Sequence, residues 1–192
     1  MMKKVKRETK SASGIREEIA IPADVEIQIE GERIIMKNKD VTITRILHPL
    51  INVKSEGKNL VLTTKKNRKI ERRMMGTFFA HIKNMMRGFT EPFKYRLQVV
   101  NVHFPMTVSH DKEKKEIVIK NFLGEKKDRR VPLIDGVEVK VTKDIIELES
   151  ADIEKAGQIA TRIEKGARVR DKDRRIYQDG IFIIEKPGRS YL

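Results

Sequence analysis

One unit of sequence is written twice along the chain, and this duplication limits the fold more than any other feature. Phe104-Pro105 answers Ile21-Pro22 at an offset of 83 residues. Ile117-Val118-Ile119 answers Ile34-Ile35-Met36, and Val131-Pro132-Leu133 answers His48-Pro49-Leu50, both at the same offset. Such a period is too long for a solenoid repeat and fits a duplicated small domain. The length of 192 residues is enough for two such domains.

Within the first copy, Val25, Ile27 and Ile29 alternate with charged or amide side chains. Glu30-Gly31-Glu32 marks a turn and 34–36 resumes the strand. Segments 41–46 and 60–63 read as further strands, the latter after a turn in SEGKN at 55–59. The period then changes. Ile70, Met74, Phe78, Ile82 and Met85, with Met75, Phe79 and Met86 beside them, recur at helical spacing from about 68 to 87. Lys69, Arg72, Arg73, Lys83 and Arg87 take the other face, and Gly88 is the expected stop. Phe93, Tyr95, Leu97 and Val99 form the strand that closes this copy.

The second copy follows the same order. Val137, Val139 and Val141 alternate as a strand, and a helix is predicted over 150–165 with Ile153, Ala156, Ala160 and Ile163 on one face. Ser150 is the expected N-cap, with Asp152 and Glu154 in the first turn. A turn at Gln178-Asp179-Gly180 leads to a last strand at 181–184. The expected fold is α+β, two tandem duplicated domains at 15–100 and 101–187, each mainly antiparallel sheet packed with one helix. A flexible basic tail is expected at 1–14 and a C-terminal tail at 188–192.

Charge narrows the partners. Forty-two Lys and Arg against 28 Asp and Glu give a net charge of +14, which favours polyanions. The absence of cysteine excludes disulfides, thiolate metal sites and cysteine nucleophiles. The N-terminus is basic but lacks the apolar segment of a signal peptide, and no apolar run approaches the ~20 residues needed to span a bilayer. The expected home is the cytoplasm, with no membrane partner.

Catalysis finds no support. His48, His81, His103 and His110 show no metal-ligand spacing, and His81 reads as a partly buried packing residue on the helix. No Gly-rich phosphate loop occurs. Gly76 and Gly157 sit alone at matching places in the two helices, which reads as close packing of helix on sheet. Carboxylates interleave with cations, as in Asp171-Lys172-Asp173-Arg174, and so read as solvated ion pairs. The chain is not expected to be an enzyme, to bind a metal or to carry a cofactor.

The basic clusters are more informative. KKNRKIERR at 65–73 places Lys65, Lys66, Arg68, Lys69, Arg72 and Arg73 in nine residues, opposed only by Glu71. A second cluster comprises Arg162, Lys165, Arg168, Arg170, Lys172, Arg174 and Arg175, followed by Tyr177 and Gln178, with Lys186 and Arg189 further on. Either could be a plain solvated surface. Arginine suits bidentate contact with phosphate, and planar or amide side chains beside it suit ribose, base edges and stacking. Residues 1–100 hold 22 cations against 11 anions and 101–192 hold 20 against 17. Net charge thus points to the first half, while local density at 168–175 points to the second as the main contact.

The duplicated unit, HIKNMMRGFT at 81–90, NVHFP at 101–105 and RRIYQDGIFIIEK at 174–186 resemble the large-subunit ribosomal protein L-six family in its archaeal and eukaryotic form. The likeness runs from about Ile15 to the C-terminus. It implies two domains, with large-subunit rRNA bound mainly by the C-terminal one, near the sarcin–ricin loop and the stalk base where translation factors land. Carried to this chain, it implies contacts from Arg168, Arg170, Lys172, Arg174, Arg175, Tyr177 and Lys186. It also implies that the N-terminal domain makes fewer RNA contacts and meets neighbouring large-subunit ribosomal proteins. Asp179-Gly180 would then be a turn that holds the arginines outward. The rival readings are a protein-interaction module and a general nucleic-acid-binding protein outside the ribosome.

Overall fold

The computed structural model describes residues 14–22, 24–38, 41–57 and 59–191. The tail expected at 1–14 lies outside them apart from Gly14. The chain builds two units, the first ending at Thr90 and the second starting at Glu91. The first runs β1 (Arg16–Ala20), β2 (Glu26–Glu30), β3 (Arg33–Asn38), β4 (Val41–Ile46), β5 (Asn52–Glu56), β6 (Asn59–Thr63) and α1 (Lys69–Thr90). The second repeats that order as β7 (Phe93–Val100), β8 (Thr107–Asp111), β9 (Glu116–Lys120), β10 (Arg129–Pro132), β11 (Glu138–Val141), β12 (Ile145–Ser150) and α2 (Ile153–Gly166). It then adds β13 (Gly180–Lys186) and β14 (Arg189–Ser190).

The sheets repeat as well. The order β2-β3-β4 answers β8-β9-β10, and β1-β6-β5 answers β7-β12-β11, with antiparallel pairing throughout. The fold is α+β and duplicated, as predicted. In the second unit β13 lies on the free side of β7, giving a five-stranded sheet β11-β12-β7-β13-β14.

Two boundaries differ from the expected ones. β7, expected to close the first domain, lies at the centre of the second unit's sheet, so the division falls near 90 and not at 100. Its alternation points Leu97 and Val99 at Ile146, Leu148 and Ile181, all of the second half. The expected C-terminal tail is partly structured, because Arg189 and Ser190 pair with Lys186 and Glu185 across a turn at Gly188. α1 also runs past Gly88 to Thr90. Pro92 ends it by forcing the residue before it out of the helical region.

The core of the second unit lies between the sheet and α2. Leu97, Val99, Ile146, Leu148 and Ile181 face Ile159, Ala160 and Ile163; Ile117, Ile119 and Val131 from the smaller sheet, with Phe122 from the turn after β9, complete it. Asp152 caps α2, its carboxylate accepting the Glu154 amide at 2.9 Å. Ser150, the expected cap, is the buried end of β12 and donates to the Gly136 carbonyl at 2.7 Å. Gly157 packs as predicted, since a Cβ there would stand 2.9 Å from the Tyr95 hydroxyl. Gly76 does not: a Cβ there meets nothing within 4 Å. No helix among the described residues is long and apolar enough to cross a membrane.

Candidate nucleic-acid interface

Residues 167–179 carry the chain from the end of α2 to β13, and this loop is braced at both ends. Ala167 and Val169 sink into the core and anchor its start. Alternation then leaves Arg168 and Arg170 outside. Arg129, on β10, lies over the Phe122 ring at 4.0 Å and donates to the carbonyls of Gly166 (2.9 Å) and Arg168 (3.1 Å). Glu125 holds its other edge, through Nε at 2.8 Å and through Nη2. That contact holds the Glu125 carboxyl below its ordinary range. Carbonyls left open at a helix end gain a cationic partner this way.

The far end is fixed by Asp179. Its buried carboxylate accepts from the amides of Val102 (2.8 Å) and His103 (2.9 Å) and from His103 Nδ1 (2.6 Å). Burial pushes the carboxyl up, but these hydrogen bonds outweigh it and hold it at about 2. His103 stacks on Tyr177 with centroids 4.8 Å apart, and the Lys172 ammonium lies 4.4 Å from the centre of the same ring. Asp179 is therefore an anchor, and the expected turn at 178–180 is absent. The turn lies at 174–176, where Ile176 and Tyr177 amides donate to the Asp173 carbonyl and the Asp173 side chain accepts the Arg175 amide at 2.9 Å. Gly180 is needed for close approach, since a Cβ there would sit 3.2 Å from the Ala167 carbonyl oxygen.

Between the braces the cations stand in solvent. Arg162, Lys165, Arg168, Arg170, Lys172, Arg174 and Arg175 are all exposed. Lys165, Arg168, Arg174, Arg175, Tyr177 and Gln178 border one cleft of about 670 Å³. Its two acidic neighbours are engaged inside the protein, Asp179 as above and Glu164 by the Ile183 amide at 3.3 Å. Among the described residues Arg162, Lys165, Arg168, Arg170, Lys172 and Arg174 form no salt bridge. Arg175 pairs with Asp173 at 2.7 Å while remaining 90% exposed. Hydrogen bonding within that pair lowers the Asp173 carboxyl and raises the Arg175 guanidinium.

Other expected members lie apart from the cleft. Lys186 and Arg189 sit at the opposite end of β13, roughly 20 Å along the strand, where both approach the Tyr191 ring, at 5.1 and 4.8 Å. The Tyr177 ring is already engaged by His103 and Lys172. The first cluster, Lys65, Lys66, Arg68, Lys69, Arg72 and Arg73, is exposed on the first unit. Sequence reasoning missed Arg129 and His103 as braces, and it gave Asp179 the task of holding the arginines outward through a turn where the structure uses its buried carboxylate. The Glu125–Arg129 spacing signals an ion pair, but nothing local shows that this arginine reaches carbonyls 37 and 39 residues away. Of the histidines, His81 packs edge-on to Phe78 with Arg45 Nη2 3.0 Å from its Nε2, and His48 Nδ1 accepts the Leu50 amide at 3.2 Å.

Comparison with known proteins gives a consistent result. The sequence model described as Ribosomal protein L6 matches residues 21–92. "Large ribosomal subunit protein uL6" of Methanococcus vannielii is 37% identical over 179 residues, covering 93% of this chain and 97% of that protein. The protein of the same name from Desulfurococcus amylolyticus is 36% identical over 174 residues, 90% of this chain and 95% of its own length. That of Methanothrix thermoacetophila is 41% identical over 167 residues, 86% and 94% respectively.

Proposed function

The chain belongs to the ribosomal protein L6 family, and from that premise we propose that it binds large-subunit rRNA chiefly through the loop between α2 and β13. It is a structural constituent of the large ribosomal subunit and not an enzyme. rRNA and neighbouring ribosomal proteins are its partners. The contact lies near the sarcin–ricin loop and the stalk base, where the protein helps shape the surface on which translation factors land.

One observation carries the loop assignment: Arg168, Arg170 and Arg174 are exposed with no salt bridge among the described residues, on a segment pinned by Arg129 at one end and Asp179 at the other. Free guanidinium groups on a rigid mount neutralise phosphates with little ordering cost. Lys172 and Arg175 add charge, while Tyr177 serves as the post on which Lys172 and His103 rest. Affinity should come largely from counterion release. With ~6 phosphate contacts the log–log salt slope is about −4 to −5.

Replacing Arg174 and Arg175 by Gln in the full chain tests this. Binding to an rRNA fragment holding the sarcin–ricin loop and stalk base should weaken, and the salt slope should flatten by about 2. Unchanged affinity would refute the loop as the contact.

A further inference from the structure

We infer that the outer face of α1 is a second RNA-contact surface, on which a phosphate backbone lies against the helix at Gly76. This goes beyond the reading above, which concerns the second unit alone.

Charge supplies the first argument. Lys65, Lys66, Arg68, Lys69, Arg72, Arg73 and Lys83 are exposed and form no salt bridge among the described residues. The one anion in 65–73, Glu71, is turned inward at 5% exposure, so its charge does not stand on this face. Arg72 donates to the Asn67 side-chain oxygen at 2.7 Å, a neutral partner that leaves its charge in place. Cations crowded at a helix N-terminus also oppose the helix dipole. No salt bridge among the described residues offsets that crowding, whereas an external polyanion does.

The second argument is Gly76. Glycine is the poorest helix former short of proline, and its counterpart Gly157 is explained by Tyr95. Gly76 is exposed, and a Cβ there meets nothing within 4 Å. Helical spacing places it on one stripe with Lys69, Arg72, Arg73, Ala80, Lys83 and Arg87, opposite the buried Met75, Phe78, Ile82 and Met86. Gly76 and Ala80 form a low saddle between the cations at 72–73 and those at 83–87, a gap of roughly 15 Å. A chain crossing the saddle reaches the helix backbone with cations on either side.

The occupant is RNA backbone and not a protein. The stripe holds Lys, Arg, Gly and Ala; Ile70, 51% exposed beside it in the first turn, is a single aliphatic side chain among cations and not the apolar cluster that the centre of a protein interface requires. Contact is to phosphates, so it should be indifferent to sequence.

The test uses the full chain already carrying Arg174→Gln and Arg175→Gln, so that the second-unit site is weakened and its remaining contribution is common to every variant compared, with a plain RNA duplex as probe. Adding Lys69→Gln, Arg72→Gln and Arg73→Gln should flatten the remaining salt slope by between about 2 and 3. Gly76→Gln adds bulk without charge and should raise the thermal midpoint while weakening binding several-fold at constant salt. An unchanged slope, or unchanged affinity in the Gly76 variant, overturns the inference. A fall in its midpoint does so too, by revealing a packing role for the glycine. Polyglutamate competing as well as RNA would assign the face to acidic proteins and likewise overturn it. None of these results bears on the Arg174 and Arg175 test in the native background.

Discussion

The Asp179 carboxylate stays ionised in an enclosed position because donors from His103 and from the backbone of Val102 and Phe104 converge on it. A folded-state pKa of about 2, below the unfolded value, gives stability that is fully present above about pH 4 and is lost as pH falls toward 2. The amount is about 2 kcal/mol. Asp179→Asn should flatten the acid limb of a urea-stability profile. A variant whose stability falls through this range as steeply as the native chain's would contradict that account. Arg129 works in the same way from the other side of the loop. Arg129→Ala should cost roughly 1–3 kcal/mol in urea denaturation, because two carbonyls lose a charged donor. Arg129→Lys should not restore the loss, since an ammonium group lacks the planar fork that reaches both carbonyls while lying on Phe122. Equal stability of the Lys variant and the native chain would rule that out.

At the scale of elements, the two helices show what a sequence can and cannot convey. The stripe of Met75, Phe78, Ile82 and Met86 shows α1 and its buried face directly, because helical spacing is local. The matched glycines look alike in sequence, yet their neighbours differ: Gly157 owes its identity to Tyr95, 62 residues away in the chain. Gly157→Ala should therefore lower stability by up to about 2 kcal/mol, the overpacking cost of roughly 1–3 kcal/mol less the helix-propensity gain of about 1 kcal/mol. Gly76→Ala should raise it by about 1 kcal/mol, and thermal melts of the pair that shift in the same direction would contradict this. The cap of α2 shows the same limit. Ser150 and Asp152 are both good cap residues, and the choice is made by β12, which holds Ser150 against the Gly136 carbonyl. For the loop, its position and its concentration of cations were legible from local charge density, while the alternation that buries Ala167 and Val169 was seen only in the structure. The use of the Tyr177 ring was not, because His103 comes from a distant strand end. Lys186 and Arg189 looked like partners of the loop in one dimension, and the length of β13 separates them.

On the scale of the whole chain, the duplicated plan is nearly the same in both units, and β13 is the main addition. Among the described residues β1 has one strand neighbour, β6, while its counterpart β7 has two. Alternation in 93–99 announced a strand without showing its owner, since β7 meets its partners about fifty and eighty residues later. Removing 180–191 should therefore open the second unit while the first persists. Hydrogen exchange should show β7 and β12 losing protection, with β3 and α1 unchanged; retained protection in β7 would contradict the central role given to β13.

That late strand also sets a timetable for synthesis. The first unit has all its strands and its helix once Thr90 has emerged, so it can fold while the rest is still being made. The second opens with β7 and waits for its later partner, β13, until Lys186 has been added. The arginine-bearing loop has no far anchor before then, because Asp179 directly precedes that strand. A nascent chain of that length thus carries a finished N-terminal body and a slack, cation-rich tether, and the loop proposed to grip RNA takes its shape only once β13 is in place.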